Sequence, residues 1–204
     1  MKWETFLTAV ADLRFFDLNT IRTLFPEDRN LQANLHRWKQ SGKVLELRRG
    51  LYTLSETYRR VPVHAPAIAH ALYPPSYLSL QWALSWFGVI PEYTVVCTSV
   101  TSRETRSFVN SLGHFSYRTV KQPLFHGYEE VEIMGASVYL AGPEKALCDF
   151  WYLNSGPWDP ARMEAYRFNP EQIDPEQLRS AVAAFQSPRM EKALQTWWEY
   201  TRDN

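Results

Sequence analysis

Apolar residues recur at helical spacing from the first residues onward. Trp3, Phe6, Leu7 and Val10 stand at i, i+3, i+4 and i+7, one face of an amphipathic helix. A second short helix is predicted from Asp17, a good N-cap residue, with Leu18, Ile21, Leu24 and Phe25 as its buried stripe and Pro26 as its stop. Asp28 is placed to cap a third helix over residues 28–41, with Leu31, Leu35 and Trp38 inward and Gly42 just past its end. Centring that buried face on Leu31 puts Arg29, Ala33, His36, Arg37 and Gln40 on the solvent side, with Gln32 and Lys39 on its flank.

The period then changes. Leu45 and Leu47 alternate with Glu46, as on a half-buried strand, and Leu51-Tyr52-Thr53-Leu54 returns as a second strand. Arg48-Arg49-Gly50 between them reads as a three-residue hairpin loop, with Gly50 supplying the positive φ. Three helices followed by a hairpin is the order of a winged helix-turn-helix, and it occupies residues 1–58. Residues 55–65 read as a polar linker containing Pro62.

Residues 64–204 mix the two periods. Ser79 is placed to cap a helix with Leu80, Ala83, Leu84 and Phe87 inward, Gly88 as its stop and Pro91 preventing resumption. Strands are predicted at 94–100 and 114–120, and a hairpin at 129–134 and 136–141 around Gly135. Pro143 suits the first position of a helix to Leu153, and two more helices follow near 175–185 and 188–200. The expected fold class is therefore α+β: an N-terminal winged helix-turn-helix, then a mixed α/β C-terminal domain with a helical end.

Composition changes this picture in three ways. No apolar run approaches the ~20 residues of a membrane span, and the first residues lack an apolar signal-peptide core, so a cytoplasmic protein with no membrane partner is expected. Cys97 and Cys148 both lie in apolar stretches and read as reduced, buried side chains. The formal net charge is zero, but residues 1–60 carry 11 Lys and Arg against 7 Asp and Glu, leaving an acidic remainder. A basic head on an acidic body points to a polyanionic partner for the head.

Double-stranded DNA is that expected partner. The third helix offers Arg29, Gln32, His36, Arg37, Lys39 and Gln40, and the hairpin tip offers Arg48 and Arg49. Arg forks onto guanine and Gln onto adenine, whereas Lys chiefly meets phosphate. Catalytic patterns are missing. The eight glycines form no phosphate-binding loop, there is no G-x-S-x-G, and the five histidines have no metal-ligand spacing. No cofactor, metal or enzymatic role is expected. Lys145 and Asp149, four apart, read as a surface ion pair on their helix.

Four stretches, in order, carry a family resemblance. They are Leu47-Arg48-Arg49-Gly50-Leu51-Tyr52-Thr53-Leu54, Ser76-Tyr77-Leu78-Ser79 leading into Ala83-Leu84, Gly88-Val89-Ile90-Pro91-Glu92, and Glu144-Lys145-Ala146-Leu147-Cys148-Asp149. On these the chain resembles the AbiEi-type antitoxins and transcriptional regulators of type IV toxin–antitoxin systems. The resemblance implies a winged helix-turn-helix with Arg48 and Arg49 as wing contacts and the third helix as reader, followed by an antitoxin domain. It also implies repression of the protein's own promoter at inverted repeats. The implied functional counterpart is a nucleotidyltransferase-like toxin, opposed without a stable complex.

Two other classes remain open. One is a nuclease targeted by its winged helix, although no motif supports it. The other is an interaction module in which Trp151, Trp158, Trp197 and Trp198 include exposed anchors.

Overall fold

A computed structural model describes residues 1–203. Helix α1 (Trp3–Val10) buries Phe6 and Val10, as its spacing predicts. A two-residue strand, β1 (Phe16–Asp17), leads directly into α2 (Leu18–Leu24). Asp17 caps that helix, its carboxylate accepting the Thr20 backbone N–H at 2.7 Å. Of the predicted stripe only Ile21 is fully buried, and Leu24 is 41% exposed. A seven-residue helix turns just one short line toward the core, and Phe16 on the preceding strand fills the adjoining space.

Helix α3 (Leu31–Gln40) starts later than the sequence suggests. Asp28 does not cap it, because its carboxylate accepts the Asn30 N–H at 2.7 Å within the preceding turn. Arg29 therefore sits in that turn and not on the helix. Leu31, Leu35 and Trp38 are buried as predicted.

Strands β2 (Val44–Arg48) and β3 (Leu51–Leu54) pair antiparallel, and β1 adds to the other side of β3. Arg48 pairs with Leu51, so the tip is the two residues Arg49 and Gly50, and a bulge between Glu46 and Arg48 absorbs the extra residue. Gly50 does take a positive φ, at 82°. Alternation along β2 differs from the expectation as well. Val44 joins the core beneath the three helices, while Leu47, on the opposite side, is buried in the larger core of the rest of the chain. Glu46 thus faces α3, partly exposed.

The segment after β3 is not an unattached linker. Arg60 N–H donates to the Ala11 carbonyl at 2.9 Å, and Tyr58 lies edge-on to Trp3 at 5.1 Å. Next come α4 (Ala65–Leu72) and β4 (Ser76–Leu78), with a cis Pro74–Pro75 bond between them. Helix α5 (Leu80–Trp86) and strands β5 (Val96–Thr101), β6 (Arg106–Asn110), β7 (Gly113–Thr119), β8 (Tyr128–Ile133) and β9 (Ala136–Ala141) follow. The chain finishes with α6 (Pro143–Leu153), α7 (Pro160–Ala165), α8 (Pro175–Ala183) and α9 (Pro188–Asp203). None of α4, β4, β6 and α7 is among the predicted elements.

The larger sheet runs β6-β7-β5-β4-β9-β8 and is mixed: β5 with β7 and β4 with β9 are parallel, the other pairs antiparallel. Helix α4 packs on β4, β5 and β9, and α5 packs on β5 and α6. The molecule is thus α+β, with two sheets and two hydrophobic cores among the described residues. No helix among them is long and apolar enough to cross a membrane. Trp151, Trp158 and Trp197 lie in the larger core and Trp198 packs partly buried against it, which removes the expected exposed anchors.

Polar contacts join the two parts. Arg14 donates to the carbonyls of Pro62 at 3.1 Å and Gly135 at 2.7 Å. The Asn110 amide donates to the Leu47 carbonyl at 3.1 Å. Within the second part, His64 Nε2 lies 2.9 Å from the Met134 carbonyl.

Candidate functional site

Helix α3 presents a polar face because its inward line is complete without it. Gln32, His36, Arg37 and Gln40 are exposed, and Arg29 is exposed in the turn before the helix. The exposed residues do not all converge. Gln32, His36, Lys39 and Arg49 line one groove of about 570 Å³ between α3 and the β2–β3 turn, floored by Leu18, Leu35 and Tyr52. Arg29, Arg37 and Gln40 lie outside it.

Two residues of this set are already engaged. Lys39 is paired with Glu46, whose carboxyl also receives the Gly50 N–H at 3.4 Å. Arg37 donates to the Asn34 side-chain oxygen at 2.9 Å, and Asn34 in turn reaches Asp28 at 3.4 Å. Asn34 is a buried polar residue on the inward side, which apolar periodicity had no means of finding.

The two arginines of the turn part company. Arg49 is exposed at the tip. Arg48 is half-buried and turned back, its Nε donating to the Leu72 carbonyl at 2.7 Å. Arg48 therefore secures the hairpin to α4, and Arg49 is the side chain that the tip offers outward. Arg103, in the β5–β6 connection, and Arg106, at the start of edge strand β6, lie beside them; both escaped the sequence reading because they are far along the chain.

The Lys145–Asp149 pair lies in the interior and not on the surface, a correction to the sequence expectation. Asp149 accepts from Lys145 at 2.5 Å and from the hydroxyls of Tyr77 and Ser79 at 2.9 Å each. Ser79 makes no capping bond to α5, since its hydroxyl is committed to Asp149. Complete burial pushes the Asp149 carboxyl upward, against the pull of Lys145, Ser79 and Tyr77. Burial and the neighbouring Asp149 charge raise the Tyr77 hydroxyl far above its usual range. Lys145 also donates to the Leu124 carbonyl at 3.2 Å. The cluster ties α6 to β4 and to the start of α5.

A cavity of about 720 Å³ lies beside Lys145, walled by Phe87, His126, Tyr128, Glu129 and Gln177 among others. Cys97 and Cys148 are free and buried, and burial pushes the Cys97 thiol up to about 12. Among the described residues no group of His, Cys, Asp and Glu is arranged to hold a metal ion. Comparison with known proteins gives no match, either to a family model or to a curated protein.

Proposed function

We propose that residues 1–58 form a winged helix-turn-helix that binds double-stranded DNA, with α3 as the reading helix and the β2–β3 turn as the wing. The observation that carries this reading is the groove in which Gln32 and His36 of α3 face Arg49 of the turn. A helix edge bearing hydrogen-bonding side chains, with an arginine on the same groove, suits base edges on one side and backbone phosphate on the other. The basic balance of residues 1–60 adds long-range attraction for a polyanion.

In this reading the protein is an autorepressor that occupies inverted repeats in its own promoter. Residues 64–204 form the partner domain, and on the family resemblance they act as the antitoxin of a type IV system in the cytoplasm. Trp151, Trp158 and Trp197 are buried and Trp198 is partly buried, which removes the motive for an interaction module.

The test is fluorescence anisotropy of the full chain with its own promoter duplex and with a scrambled duplex, across a salt series. Selective binding that weakens steeply with salt is the expected result. Weak, equal binding to both duplexes rejects the proposal. The antitoxin half is tested by co-expressing the full chain with the nucleotidyltransferase-like toxin that this reading requires. Restored growth is expected, and unrelieved toxicity rejects that half alone.

A further inference from the structure

Four guanidinium groups converge where the β2–β3 turn meets the larger sheet. Arg48 and Arg49 come from the turn, Arg103 from the β5–β6 connection and Arg106 from the start of β6. With Leu72, Tyr73 and Phe108 they enclose a cavity of about 290 Å³.

The arrangement is pre-set. Arg48 Nε is tethered to the Leu72 carbonyl at 2.7 Å, and Arg103 donates to the Pro74 carbonyl at 2.9 Å. Arg103 stacks 4.2 Å over Tyr73, and Arg106 lies 5.3 Å over Phe108. These contacts restrain Arg48, Arg103 and Arg106, while Arg49 stands exposed at the tip. Among the described residues none of the four pairs with a carboxylate within 4.0 Å. Glu46, the nearest acid on the hairpin, is taken by Lys39.

Cations gathered without counter-charge repel one another, and an anion seated between them turns that repulsion into attraction. Guanidinium forks match phosphate oxygens in bidentate geometry, and four of them suit a multiply charged group better than a single carboxylate. We propose that this cavity is a binding site for a phosphate-bearing anion of the pyrophosphate class, held by Arg49, Arg103 and Arg106 with Arg48 as a tethered fourth charge. The proposal does not depend on α3 binding DNA.

The test is isothermal titration calorimetry of the full chain with inorganic pyrophosphate at fixed ionic strength, with sulfate as the control anion. Saturable one-to-one binding is expected, at least tenfold weaker in Arg106→Gln and in Arg49→Gln. Arg106 carries no hydrogen bond that its loss would leave unmet, and an unchanged melting temperature verifies the fold of each variant. No saturable heat in the unmodified protein overturns the proposal, as does an affinity that neither variant alters or that sulfate matches. Repeating the titration with promoter duplex present separates the two sources of phosphate. Competition that persists in Arg49→Gln assigns the cavity to a backbone phosphate, and an unchanged affinity assigns it to a free ligand. Pyrophosphate binding by a chain that ignores DNA would reject the DNA reading and leave this site standing.

Discussion

Lys145 and Asp149, one turn apart on α6, form an ion pair at 2.5 Å with side chains only 8% and 0% exposed. At that depth the pair's net contribution is set by the cost of leaving either charge alone. Lys145→Met leaves Asp149 buried and uncompensated and is expected to cost about 3–5 kcal/mol in urea unfolding. Asp149→Leu strands the lysine and two hydroxyls, with a loss of similar size. The double variant is expected to lose clearly less than the two singles together. Additive losses would mean that the two side chains act independently.

The two arginines of the turn predict different phenotypes. Arg49→Ala is expected to flatten the salt dependence of DNA binding by about one phosphate contact, roughly 0.9 in the log–log slope. Its stability should be unchanged, since the side chain is exposed. Arg48→Ala removes the bond to the Leu72 carbonyl and is expected to lower stability by about 1 kcal/mol. Parallel anisotropy and thermal melts check both, and identical behaviour of the two variants would contradict the division of roles.

Asp17 links a cap to acid stability. Its carboxyl is held below the ordinary 3.8, first by the Thr20 backbone N–H, with burial opposing. Folding therefore favours its charged form. That contribution is present above 3.8 and disappears as pH falls through the lower folded-state value. Asp17→Ala is expected to cost about 1 kcal/mol at neutral pH and progressively less in acid. Urea midpoints for both proteins across the acid range check this, and a constant difference at every pH would exclude the carboxylate as the cause.

His64 makes the opposite end of the mild-acid range sensitive. Burial first, then the nearby charges of Arg14 and Arg59, hold its imidazole below the ordinary 6.5. Its Nε2 meets the Met134 carbonyl, while its buried Nδ1 has no partner. The neutral ring is thus the folded form. Its contribution is present above 6.5 and is lost as pH falls toward the folded-state value. Melting temperatures are expected to fall as pH drops below 6.5, and His64→Gln should flatten that dependence. An equally steep decline in the variant would assign it to other groups.

What the sequence by itself determined are the elements whose signals are local. The spacing of Trp3, Phe6 and Val10, the cap at Asp17, the glycine between residues 134 and 136 and the proline at 143 each act within one or two turns of chain. The elements they mark are present where expected. Helix α4, APAIAHAL, is buried over nearly its whole surface and so has no polar face to set a period. Strands β4 and β6 are too short, or too exposed at the sheet edge, for alternation to register.

Tertiary structure alone decided where the polar side chains point. Ser79 and Asp149 are 70 residues apart, and Arg48 reaches a carbonyl 24 residues away. Periodicity tells which face of an element is apolar, but not what lies against that face. A lysine four residues before an aspartate reads as a solvated pair unless another element covers it. Here β4 and α5 bring Tyr77 and Ser79 onto Asp149, so the ion pair is interior. The same limit applies to the arginines of the β2–β3 turn, adjacent in sequence yet separated in role by the packing of one against α4.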